Sequence, residues 1–80
     1  MAAARPIMPK SFETLLYRER KKVIDAAPLG RTDRKIATMY YLDGFPQADI
    51  AVVVLMERSS VSKRLPRIRA ILESTAERVK

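Results

Sequence analysis

The sequence contains no cysteine and no histidine. Disulfides, thiol chemistry, zinc fingers and histidine-based catalysis are excluded together. Glycine is nearly absent as well, with Gly30 and Gly44 the only two. Both stand where a helix must end, so no glycine-rich phosphate loop can be built. The nine carboxylates are scattered over expected helix surfaces. With no acid and base drawn together, neither an enzyme nor a cofactor-dependent protein is expected. Long apolar runs are missing too. The longest, Ile50 to Met56, is seven residues, far short of the ~20 needed to span a bilayer. The opening MAAARPIMPK lacks the apolar stretch of a signal peptide. No membrane span and a cytoplasmic location are therefore expected.

What the chain does have is charge of one sign. Sixteen Lys and Arg against nine Asp and Glu leave a net charge of +7 and a sequence pI near 10.3. Such a balance favours a polyanionic partner, nucleic acid first and an anionic membrane surface second. Eighty residues that are 48% apolar suit one compact domain with a modest core.

Residues 1–10 carry two prolines and no helical period, so they are expected to form a flexible arm, with one helical domain over 11–80. Ser11 is the expected N-cap. After it Phe12, Leu15, Leu16 and Val23 follow a helical period, and the helix is expected to end near Ala27, before Pro28 and Gly30. Thr32 and Asp33 predict the start of a second helix running to Leu42, with Ile36, Met39 and Tyr40 inward and Tyr17 and Tyr41 at the boundary. Gly44 supplies a left-handed stop, and Pro46 a preset first-turn residue for a third helix over about 46–54. Its inner face is Ile50, Ala51 and Val54, with Gln47, Ala48 and Asp49 exposed. Val61, Leu65, Ile68 and Leu72 then predict a fourth helix. At Pro66 either this helix kinks or a new one begins; the apolar stripe keeps its phase, which favours a kink.

An all-α domain of four to five helices follows, and its centre has the pattern of a helix-turn-helix at about 46–65. In that motif a small residue must sit where two short helices cross, and apolar residues must lock each inner face. Ala51 meets the first need; Ile50, Val54, Met56, Val61 and Leu65 meet the second. Subtracting the buried positions leaves Arg58, Ser59, Ser62, Lys63 and Arg67 outward, and Ser60 and Arg64 complete the candidate DNA-binding set. Residues 57–72 hold five basic side chains against Glu57 alone, so +4 of the total +7 is concentrated here. Arginine pairs with guanine edges, serine contacts bases or phosphates, and lysine neutralises phosphate.

Thr32-Asp33-Arg34, Gly44-Phe45, Ile50-Ala51 and Arg58-Ser59-Ser60-Val61-Ser62-Lys63-Arg64-Leu65 together resemble region four of bacterial sigma factors, especially the smaller stress-type ones. LuxR-type response-regulator domains share Ile50-Ala51 and Val61 but not the fit at Lys63-Arg64-Leu65. The resemblance implies a small sigma-like transcription regulator that reads promoter-type DNA through Arg58, Ser59, Ser62 and Lys63, alongside RNA polymerase. Three positions depart from that pattern. Leu55 stands where the family places a turn glycine, Val52 and Val53 where it places charged residues, and Pro66 where its helix is uninterrupted. A region two is also absent, so a complete sigma factor is not implied. Val52, Val53 and Leu55 read either as a buried helix end or as a partner surface, and a homodimer on two half-sites is an open expectation. The alternative function is a protein-interaction module, such as a phage- or plasmid-encoded factor that docks on RNA polymerase or inhibits a partner protein.

Overall fold

The computed structural model describes residues 15–78. Within them the chain is all-α: α1 (Tyr17–Ala26), α2 (Arg31–Ala37), a π-helical turn (Thr38–Leu42), α3 (Gln47–Val54) and α4 (Arg58–Arg78). No strand occurs among the described residues, and none of their helices is long and apolar enough to cross a membrane. The expected arm at 1–10 and the expected cap at Ser11 lie outside the described residues.

α4 is the spine, packed against α1, α2 and α3. Its inward residues Val61, Leu65, Ile68, Leu72 and Ala76 recur every three or four positions and are all buried. They meet Val23 and Ile24 of α1, Ile36 and Ala37 of α2, and Ile50 and Ala51 of α3 in one core. Each fully buried aliphatic side chain contributes roughly 1.5–3 kcal/mol relative to exposure. Thr75, the buried polar residue of this helix, donates its hydroxyl to the Ile71 carbonyl at 2.8 Å. α4 remains a single helix through Pro66. The proline is exposed, so its ring stays out of the core, although it removes one ladder bond.

Helix starts differ from expectation where backbone geometry overrides side-chain preference. α1 begins only at Tyr17, because Leu16 is extended (φ −72°, ψ 161°) and takes the cap position. A leucine side chain accepts nothing; instead the Glu19 carboxylate reaches back to accept the Leu16 N–H at 2.9 Å. α2 starts one residue before Thr32, with Gly30 as its cap and the Gly30 carbonyl accepting the first helical bond from Arg34 at 2.9 Å. Asp33 still lies in the first turn, where a negative charge suits the helix terminus. Pro46 likewise caps α3 from outside rather than opening it.

The second helix hides the largest surprise. Over Thr38–Leu42 it widens to a π turn, with the Asp43 N–H bonding back to the Thr38 carbonyl at 3.1 Å. The extra residue advances the inward face by one position. Tyr41, not Tyr40, is therefore the buried tyrosine, 2% exposed, and Tyr40 is half-buried with its ring edge-on to Tyr41 at 5.0 Å between centroids. Gly44 then adopts the expected left-handed conformation (φ 73°).

Candidate nucleic-acid interface

The junction of α3 and α4 is built by a left-handed residue. Leu55 has φ 58° and ψ 47°, a conformation natural to glycine and costing a leucine roughly 1–2 kcal/mol. Around it the Met56 N–H bonds to the Ala51 carbonyl at 2.9 Å and the Leu55 N–H to that of Val52 at 3.3 Å. This paired arrangement satisfies carbonyls that the end of α3 would otherwise leave open. Met56 tucks back toward the core and Ala51 is buried, while the Leu55 side chain is 91% exposed.

Beyond the turn, α4 places its core residues on one side and its candidate residues around the rest. Ser59, Lys63 and Arg67 recur at four-residue spacing, which aligns them along one exposed stripe with Ser62 and Pro66 beside them. Arg58 is exposed at the first turn; Ser60 is half-buried. From Arg58 to Arg69 there are five cations and no carboxylate, and Arg58, Lys63 and Arg67 are the three that lie on or beside this exposed stripe.

Arg64 belongs to a different flank. It donates to the Asp33 carboxylate of α2 at 2.8 Å, with its own side chain 45% exposed and that of Asp33 only 14% exposed. This residue ties α4 to α2. The neighbouring Arg34 is also structural: its guanidinium donates to the carbonyls of Ala27 at 2.9 Å, Leu29 at 2.8 Å and Asp25 at 3.4 Å. It thereby ties the end of α1 to the loop before α2, where helix-end carbonyls attract a cation. Asp33, joined to α4, and Arg34, joined to the end of α1, thus hold α2 in place.

The opposite flank of α4 borders a shallow cleft of about 240 Å³ lined by Tyr40, Tyr41, Gln47, Ser62, Leu65, Pro66 and Arg69. Gln47, expected to be exposed, is half-buried because its amide oxygen accepts a hydrogen bond from the Ser62 hydroxyl across the α3–α4 junction. Burial pushes the Tyr41 hydroxyl up from 10.0 to about 12, against the lowering effect of nearby Arg69. The ring is therefore neutral at physiological pH. Among the described residues no group of His, Cys, Asp and Glu is arranged to hold a metal ion.

Sequence reasoning did not reach the contacts of Gln47 and Arg34 or the Asp33–Arg64 pair. The last joins positions 31 residues apart, and no local period reports such a contact. Comparison with known proteins finds no family, no characterised protein and no solved structure that matches the chain.

Proposed function

We propose that the chain is a sequence-specific DNA-binding transcription regulator in which α3, the turn at Leu55 and the front half of α4 act as a helix-turn-helix. The observation that carries this reading is the exposed stripe of Ser59, Lys63 and Arg67, with Arg58 and Ser62 beside it, on a helix whose other face is fully engaged in the core. The segment 58–69 is about 18 Å long at ~1.5 Å per residue, and a major groove about 12 Å wide admits such a helix. Arg58 and Arg67 would pair with base edges or phosphates, Lys63 would neutralise phosphate, and Ser59 and Ser62 would take shorter contacts. Ser60 and Arg64 would support the helix from its flanks. The regulatory role itself comes from the sigma-like resemblance of the same residues.

A titration of the full chain with duplex DNA across salt concentrations tests the proposal. Binding should weaken steeply with salt, log K falling by roughly 0.9 for each phosphate neutralised per tenfold rise in salt concentration. No binding at low salt, or an affinity indifferent to salt, ends it.

A second reading is supported by Val52, 74% exposed, and Leu55, 91% exposed. In it the chain is a protein-interaction module that docks on RNA polymerase or inhibits a partner. Changing Val52 and Val53 to Glu should abolish function under this reading and leave intrinsic DNA binding largely intact under the first.

A further inference from the structure

From Asp43 to Glu57 the chain carries Asp43, Asp49 and Glu57 and no Lys or Arg, in a molecule of net charge +7. The apolar side chains that this segment exposes share its acidic surface. Asp49, Val52 and Val53 stand at i, i+3 and i+4 of α3, so the carboxylate and both valines are neighbours on one helix face. All three are exposed, Leu55 projects from the turn that follows them, and Glu57, two residues further along the chain, is exposed as well. Solubility and stability both argue against this choice of residues: polar side chains suit positions 52 and 53, and glycine suits the left-handed position 55. The left-handed Leu55 is 91% exposed, and its side chain is not part of the core.

We infer that this acid-rimmed aliphatic edge docks a basic amphipathic segment of another protein, with large apolar residues to meet Val52, Val53 and Leu55 and Lys or Arg to meet Asp49 and Glu57. The charges decide the occupant. An anionic membrane or a nucleic acid would be repelled by the two carboxylates. A second copy pairing through the same edge would bring the two acidic rims together, like charge against like. A cationic segment is attracted on both counts, by the local carboxylates and by the apolar surface between them. The inference deepens the protein-interaction reading by naming the chemistry of the partner, and it coexists with DNA binding because the basic stripe lies on α4.

The test uses the full chain with labelled valine and leucine methyls, titrated in turn with a synthetic helical peptide of Leu and Lys and a length-matched peptide of Leu and Glu, with methyl resonances followed by NMR. The Leu/Lys peptide should saturably shift Val52, Val53 and Leu55, and the Leu/Glu peptide should leave these three unmoved. The double variant Asp49→Lys with Glu57→Lys should weaken the response about tenfold or more, on the order of 1.4 kcal/mol. The variant Val52→Ser with Val53→Ser should remove it while the helical circular dichroism is kept. The inference is overturned if the Leu/Lys peptide leaves these methyls unmoved, if both peptides shift them equally, or if they shift with protein concentration alone, which would identify a second copy as the occupant. Duplex titration of the same samples separates the two ideas: lost peptide binding with intact DNA binding removes only the docking edge, and the reverse removes only the DNA reading.

Discussion

α3 with its turn and the front half of α4 are consecutive and anchored in the same core through Ile50 and Ala51 in one and Val61, Leu65 and Ile68 in the other. Their solvent faces are opposites. One presents Asp49, Val52, Val53, Leu55 and Glu57; the other presents Arg58, Ser59, Lys63 and Arg67. The fold constrains only the inward half of each helix, so the outward halves are free to differ in chemistry. The proposed DNA-binding stripe and the proposed docking edge lie on opposite sides of this reversal at the 57–58 junction.

The largest expected effect breaks the basic side of this comparison. Replacing Arg58 and Lys63 with Glu should lower duplex affinity by roughly a hundredfold or more at low salt, given ~1–3 kcal/mol for a base contact and the added repulsion. Thermal unfolding should barely move, since both side chains are exposed; a duplex titration beside a melting curve checks both. Pro66→Ala comes next. Restoring the missing N–H within α4 should stabilise the protein by up to about 3 kcal/mol, read as a higher urea midpoint. A lower midpoint would mean that the proline supports a local geometry the core depends on.

Arg34→Ala probes the platform beneath both surfaces. Removing a cation that caps three carbonyls should cost about 2 kcal/mol, and amide exchange should rise at the end of α1 first. Lysine should restore only part of this, because its single ammonium does not reproduce the guanidinium fork. The smallest effect sharpens the acidic side. Leu55→Gly should raise stability by up to about 1 kcal/mol by relieving the left-handed backbone, and it should weaken the peptide response at Val52 and Val53. An unchanged melting temperature would show that leucine bears no strain there.

The apolar period made much of the architecture legible. Val61, Leu65, Ile68 and Leu72 keep one phase across Pro66, and all four are buried as that phase requires. At position 55 the sequence departs from the resembled pattern, with leucine in place of a turn glycine, and Leu55 nonetheless takes the left-handed backbone that a glycine would tolerate. The exposure of Arg58, Ser59, Ser62, Lys63 and Arg67 followed from subtraction. Other features were hidden for definite reasons. Thr32 is a good capping residue by type, yet the chain path leaving Pro28 lets Gly30 begin α2. Arg64 sits among the other cations in sequence, and only the packing of α2 on α4 brings Asp33 to it. The Ser62–Gln47 bond is similarly a product of the junction rather than of either helix. Tyr40 and Tyr41 exchange roles because a period of 3.6 was applied to a stretch that does not keep it.

That π turn also bears on how the chain tolerates changes in length. It spends five residues, Thr38 to Leu42, on little more than one turn, so it holds about one residue more than an α-helix would need there. Removing Tyr40 alone would let the segment rewind as ordinary α-helix while Tyr41 keeps its inward direction and Gly44 keeps its place at the stop. A single-residue deletion, ruinous in most of a small helical core, has at this one point a built-in place to be absorbed.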